Sequence, residues 1–343
     1  MKFLIRWCNM NSGLGKKWFM LNRFLRDYRK PLTYEIQETS RMQNPKLEEY
    51  YLLFLEADMQ KQKGGSKTFE FDEHGIPVVP SYIDVVEKGF HYYPITIGQY
   101  ALAVFHTYLS TESKKDLDRF LNLANWFYEN RIEGDKRGFY WLTNTKKPEY
   151  GVNRPWVSAF SQSRSISVLL RAFQLTGKED YRDCAINALT IYDIPNSEGG
   201  VKALHNGNVL YEEYTADFNV MVLDGAFFSM LGLFDLQRVI PENDYVKKLI
   251  KQGIDGLVAL LPEYDLGYWI RYSLTDSPNY PQDDPATRGY FYLTLTLLKA
   301  FHYLTGRTEF EDYCKKYSEY DTFWNISKMY RTKYRALKKL DRV

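Results

Sequence analysis

The chain has 343 residues, enough for one large body with an appendage or for two domains. Its 45 Lys and Arg against 43 Asp and Glu leave a net charge of +2, which gives no global field favouring nucleic acid or an acidic membrane. Three cysteines (Cys8, Cys184, Cys314) are too few and too scattered for a disulfide framework or a zinc site, and the five histidines never fall at metal-ligand spacing. Neither a metal nor another cofactor is expected.

The opening segment MKFLIRWCNMNSGLGKKWFML has apolar runs broken by Arg6, Asn9, Asn11 and Ser12, so no signal peptide is expected. Nowhere does an apolar run approach the roughly 20 residues a membrane-spanning helix needs. The expectation is a cytoplasmic protein or one peripheral to the membrane, where Trp7, Trp18, Phe19 and Phe24 with their basic neighbours could touch a lipid surface. Residues 1–90 read as an N-terminal extension, with a helix around Pro45 to Lys61 carried by Leu47, Tyr51, Leu52, Phe54 and Leu55. A β-hairpin follows, with Phe69 and Phe71 alternating, a turn at Asp72 to Gly75, and Ile76, Val78 and Val79 returning.

From about Ile95 the pattern changes to apolar helices separated by short polar breaks. They are expected near 95–110, 116–131, 158–176, 179–193, 220–240, 243–262, 287–304 and 308–323. The segments RAFQLTGKEDYRDCAINAL (171–189) and KAFHYLTGRTEFEDYCKKY (299–317) repeat one design, a helix ending at Thr-Gly and an aromatic-led second helix. Gly177 and Gly306 suit the left-handed residue that ends a helix before an antiparallel partner. An array of such hairpins makes a solenoid or a curled α/α toroid. The long aromatic and polar loops 131–157, 194–219 and 263–288 favour the toroid, since long loops on a rigid scaffold commonly carry function. The expected fold is therefore mainly α, an incomplete α/α toroid over 91–325 with a small helical and β-hairpin extension before it and a basic tail at 326–343.

The loop EGGVKALHNGNVLYEEYTADFN (198–219) is the densest cluster of chemistry-bearing residues. Adjacent carboxyls at Glu212 and Glu213 inside a cleft would raise one another's pKa toward the range of an acid or base at neutral pH. If the stretch is extended, Glu213 and Tyr214 face opposite ways, so a bend is needed for them to share a site. The bland alternative is an acidic pair decorating a helix start. Asn206-Gly207 reads as a tight turn presenting Tyr211 and the acidic pair.

Tyr211-Glu212-Glu213-Tyr214 followed by VLDGAFFSMLGLFDL resembles the signature of the heparosan glucuronyl C5-epimerase family, in which YEEY precedes a VLNG-type aromatic helix. The stretch Tyr92 to Leu102 (YYPITIGQYAL) is similar to that family's YPIQIAQYGL, and Trp156 to Ser167 (WVSAFSQSRSIS) to its W-x-SAMAQGQAIS. LPEYD at 261–265 with Gly267, Tyr272 and Leu274 resembles its LPLYDTGSGTIYDL block, and Tyr290 falls where the family has a further tyrosine. The likeness runs over about residues 68–305. Phe291 stands where the family has histidine, Thr215 where it has proline, and the family's N-terminal β-rich region is mostly absent.

The resemblance implies an isomerase that exchanges glucuronate and iduronate within a polysaccharide or oligosaccharide by inverting the sugar's fifth carbon. It carries catalytic roles to Glu213, Tyr214, Tyr272 and Tyr290. Two faces of the ring need two groups, and Tyr214 (with Glu213) and Tyr290 are expected to supply them, with Tyr272 assisting. Arg154, Arg164, Arg271 and Arg288 are candidate grips on the uronate carboxylate, each equally explicable as an ordinary ion pair. Tyr92, Tyr93, Trp156, Gln99, Gln162, Asn206 and Tyr211 complete the expected substrate-binding set, by stacking or by hydrogen bonds. Competing readings are a polysaccharide lyase, which begins with the same proton loss, a glycoside hydrolase pairing Glu213 with Asp217, Asp224 or Asp265, and a noncatalytic glycan-binding toroid. A homodimer is compatible with the sequence.

Overall fold

Left-handed backbone at Gly177 and Gly306 (φ 71° and 69°) ends two long helices at the expected positions and lets each chain reversal occupy only a few residues. The computed structural model describes residues 34–60, 69–81, 85–134 and 136–340, together with Trp18, Leu21, Asn22 and Leu25. The aromatic and basic membrane-facing set expected near the start lies outside the described residues, apart from Trp18.

After a single helical turn, α1 (Glu56–Gln60), the helices are α2 (Pro94–Thr111), α3 (Lys114–Glu129), α4 (Ala159–Thr176), α5 (Glu179–Asn187), α6 (Leu223–Val239), α7 (Asp244–Tyr264), α8 (Arg288–Thr305), α9 (Thr308–Ser318) and α10 (Phe323–Lys339). They pack as successive pairs, α2 with α3, α4 with α5, α6 with α7 and α8 with α9. The first members of the pairs form an inner row in which α2 meets α4, α4 meets α6 and α6 meets α8. That arrangement explains the composition. Inner α4 and α6 are buried nearly all round, while outer α3 buries one face through Phe120, Leu123, Ala124 and Phe127. Side chains of Ser113, Ser158, Asn243 and Thr322 accept from the third backbone N–H of the helices they open, each contributing about 1 kcal/mol. The two central helices touch backbone to backbone at Gly232, where a Cβ would fall 2.3 Å from the Ser163 carbonyl oxygen.

Strands are short. The expected hairpin is β1 (Glu70–Phe71) with β2 (Pro77–Pro80), and β2 also pairs with β3 (Phe90–Tyr92) in a three-stranded antiparallel sheet. Hairpins β4 (Ile132–Gly134) with β5 (Gly138–Tyr140) and β6 (Lys202–His205) with β7 (Asn208–Tyr211) lie in the long loops.

Three expectations are corrected. Residues 45–55 are not helical, and Tyr50, Tyr51 and Leu52 are consecutively buried in a non-helical stretch. Their backbone is held from outside, Leu47 N–H by the Gln174 side chain and Tyr50 N–H by His106 Nε2, with Gln37 and Leu53 amides completing a short extended pairing. Residues 326–339, expected as a tail, belong to α10, which buries Ile326, Met329, Tyr330 and Ala336 beneath its lysines and arginines. The helix expected over 179–193 stops at Asn187 and continues as a 3-10 turn over Thr190–Asp193.

Candidate active site

Hairpin β6–β7 turns at Asn206 and Gly207, both left-handed (φ 50° and 78°), and delivers the chain to Glu212. Glu212 is completely buried and fully engaged. Its carboxylate accepts the Val220 and Met221 amides at 2.7 and 2.8 Å, and its backbone bonds Val201 and Ala159. Burial pushes this carboxyl up to about 8, against the pull of those two donors. Glu212 therefore clasps the loop that leads into α6.

The chain then bends at Glu213 and Tyr214, so the two share one site. The Tyr214 side chain lies beside the Glu213 carboxyl and favours its ionised form. The Tyr214 ring stacks on Tyr150 (centroids 5.6 Å), lies 5.2 Å from Trp156, and carries Lys147 Nζ 4.0 Å from its centre. Lys147 is buried and pairs with buried Glu149 at 3.4 Å. Glu213 packs on the start of α6, where a Cβ on Gly225 would fall 2.4 Å from its Oε2.

A second wall is brought up by backbone pairing. Val222 bridges Ser273, Leu223 N–H donates to the Tyr272 carbonyl, and Leu274 N–H to that of Met221. Tyr272 thereby lies beside Tyr290, third residue of α8, with ring centres 5.4 Å apart. Tyr290 is 41% exposed and opens this wall to solvent. Asp284 accepts from Tyr280 (2.8 Å) and Lys333 (2.7 Å), and Lys333 Nζ sits 5.3 Å from the Tyr272 ring centre. Tyr280 stacks on Tyr150 at 5.2 Å, joining the two walls through aromatic rings. A cavity of about 660 Å³ runs along Tyr280, between the 275–283 loop and α10.

Burial raises the Glu213 carboxyl, with Tyr214 and Lys147 pulling the other way. Asp224 is held well above the carboxylate range by burial and then by the Glu213 charge. Burial foremost, then the neighbouring Tyr290, Tyr150, Glu213 and Asp224, keeps Tyr272 a neutral phenol. Among the described residues no group of three or more His, Cys, Asp or Glu could hold a metal, and no helix is long and apolar enough to cross a membrane.

The family described as "D-glucuronyl C5-epimerase C-terminus" matches residues 135–319, which hold both walls. The chain belongs to that family. It is 34% identical over 168 residues to a D-glucuronyl C5-epimerase of Caenorhabditis elegans, covering 45% of this chain and 27% of the relative. An uncharacterised protein of Methanocaldococcus jannaschii is 24% identical over 201 residues, 54% of this chain and 65% of the relative. The chain thus spans about a quarter of the first of these proteins and just under two thirds of the second.

The four residues expected to be catalytic, Glu213, Tyr214, Tyr272 and Tyr290, lie near one another. The expected binding set does not gather there as a whole. Trp156 touches Tyr214 and Tyr93 touches Trp156, but the Trp156 indole N–H is spent on the Thr145 carbonyl. Gln162 is consumed by Trp141 N–H and the Phe139 and Ala188 carbonyls, and the Tyr211 hydroxyl by the Leu249 carbonyl. Arg164 is completely buried among the rings of Tyr50, Phe54, Phe160 and Phe228, in the core rather than in a cleft. Arg154 pairs with Asp217 at the surface, Arg271 with Asp283, and Arg288 with Asp321 and Tyr292. Tyr92 donates to Asp72, Asn206 to Glu263, and Gln99 is half-buried on α2. The cations beside the walls are Lys147 and Lys333, which sequence reasoning missed along with Tyr150 and Tyr280. Nothing local marks them, since both lysines fall in stretches that read as solvated loop or tail.

Proposed function

We propose that the chain inverts the fifth carbon of glucuronate residues within a heparosan-like glycan, interconverting D-glucuronate and L-iduronate. Support comes foremost from the adjacent Glu213–Tyr214 pair facing Lys147 with Tyr272 and Tyr290 alongside. The hydrogen on C5 is α to a carboxylate, so it leaves as a proton when its electron pair spreads onto that carboxylate as an enediolate. Tyr214 takes the proton while passing its own to Glu213, whose burial makes it a better acceptor than an exposed carboxylate. Tyr290 gives a proton to the opposite face, forming the new C5–H bond and a tyrosinate; solvent then reprotonates Tyr290 and takes the proton from Glu213, or the reverse turnover restores both. Tyr272 donates a hydrogen bond, and the Lys147 and Lys333 ammoniums oppose the growing negative charge.

In the same reading the paired helices form an incomplete α/α toroid. The catalytic domain begins near residue 91 and runs past 325 to include α10, because Lys333 reaches Asp284 and Tyr272 from that helix. The test is incubation with heparosan in deuterated water followed by NMR. Label at C5 with chain length unchanged is the expected result. Shorter chains ending in an unsaturated uronide would make the protein a lyase, and bound glycan without exchange would make it a binding protein.

A further inference from the structure

Helix α10 carries six lysines and arginines and no acidic residue, in a chain whose net charge is only +2. It lies beyond residues 135–319, where the epimerase family matches, so that likeness assigns it no role. Thr332, Arg335, Ala336 and Lys339 fall at the spacing of one helix face, and that face forms one side of the cavity of about 660 Å³ whose other side is the 275–283 loop. Such a volume is ordinary for a ligand site. The charges around it are unequally committed. Both acidic members of the lining have partners in the loops, Asp283 with Arg271 at 3.4 Å and Asp276 with Asn219 at 3.0 Å. On α10, Lys339 gives one of its three donors to the Tyr280 carbonyl at 3.3 Å, and Arg335 has no ion pair among the described residues. Arg335 and Lys339 stand one helical turn apart, and like charges at that spacing repel until an anion lies between them.

The cavity also adjoins the candidate active site. Tyr280 lines it and stacks on Tyr150, which stacks in turn on Tyr214. Thr332 lines it as well, and the next residue, Lys333, lies 5.3 Å from the Tyr272 ring centre. A lipid surface is met by basic residues on an open helix face. Here the cations rim a concavity to which Thr275, Ser277 and Gln282 add hydroxyl and amide groups suited to the hydroxyls of a sugar. We infer that the cavity between α10 and the 275–283 loop is a subsite for a second uronate of the same glycan chain, its carboxylate held by Arg335 and Lys339 while the first uronate lies between the catalytic walls. The inference rests on the function proposed above for the identity of the glycan.

The test is titration calorimetry of the full chain with a heparosan octasaccharide. Arg335→Gln combined with Lys339→Gln should weaken binding about tenfold, as for loss of two charge-assisted contacts at a solvent-open site. The charge-keeping pair R335K with K339R should retain most of the affinity. Both side chains are exposed, so the unfolding midpoint should stay where it is. A wild type that does not bind the octasaccharide, wild-type affinity in R335Q/K339Q, or an equal loss in R335K/K339R overturns the inference. If instead vesicles containing phosphatidylserine lose affinity in R335Q/K339Q while the octasaccharide keeps it, α10 is a lipid-facing helix and the subsite is overturned. Entry of solvent deuterium at C5 is read on the same samples. Binding that weakens in the variant, with no exchange in the wild type, contradicts the proposed reaction and leaves the subsite standing.

Discussion

The ammonium of Lys147 sits 4.0 Å from the centre of the Tyr214 ring, within a wall where its own ion-pair partner, Glu149, is also buried. Replacing Lys147 with Met removes the cation that faces both Tyr214 and Glu213. Exchange at C5 should fall by about two orders of magnitude, as for loss of one preorganised stabilising group. Because Glu149 is left buried without its cation, the unfolding midpoint should fall as well, by an amount corresponding to about 3 kcal/mol. Wild-type exchange in a folded K147M protein would remove Lys147 from the reaction.

Gly225→Ala tests the packing beneath Glu213. A Cβ there would meet Glu213 not only at Oε2 but also at its Cβ, 2.6 Å away, so the whole side chain must move. The expected outcome is a fall in kcat of about a hundredfold from a displacement on the scale of 1 Å, with a loss of about 1–3 kcal/mol in denaturant stability from overpacking.

Lys333→Met cuts the 2.7 Å pair with Asp284, whose side chain is almost inaccessible. Asp284 would be left with Tyr280 as partner and α10 with one tie fewer to the loop bearing Tyr272. Calorimetry should record a loss of about 3 kcal/mol, and exchange should fall along with it. A variant as stable and active as the wild type would show that α10 does not support this wall.

Glu212 carries a pH signature. Its carboxyl is raised to about 8 when folded, above the ordinary value of 4.5, so its contribution to stability is complete below about 4.5 and is lost as pH rises through about 8. Glu212→Gln cannot ionise and should not share this decline of a few kcal/mol. It should instead lose about 1–3 kcal/mol at pH 5, because an amide NH2 would face either the Val220 or the Met221 amide. Comparing urea midpoints of the two proteins at pH 5 and pH 8 isolates this residue from all others.

The helix pairs were legible because their signals are local: terminal glycines at 177 and 306 and apolar periodicity. The Glu213–Tyr214 neighbourhood was legible through its motif, and the requirement for a bend followed from strand alternation. What stayed hidden depends on distant partners. Tyr50 to Leu52 have an apolar pattern suited to a helix, yet their backbone is bound by His106 and Gln37. Arg164 offered a plausible grip on a carboxylate, and the rings that enclose it come from three separate segments. Lys333 approaches Tyr272 only because α10 folds back over the 275–283 loop.

The most direct test of the central claim is the rate at which deuterium from solvent enters C5 of heparosan with wild-type protein and with folded Tyr214→Phe. Label without chain shortening in the wild type and a loss of at least about a hundredfold in the variant is the predicted result. Label at the wild-type rate in Tyr214→Phe, or none in the wild type, would contradict it.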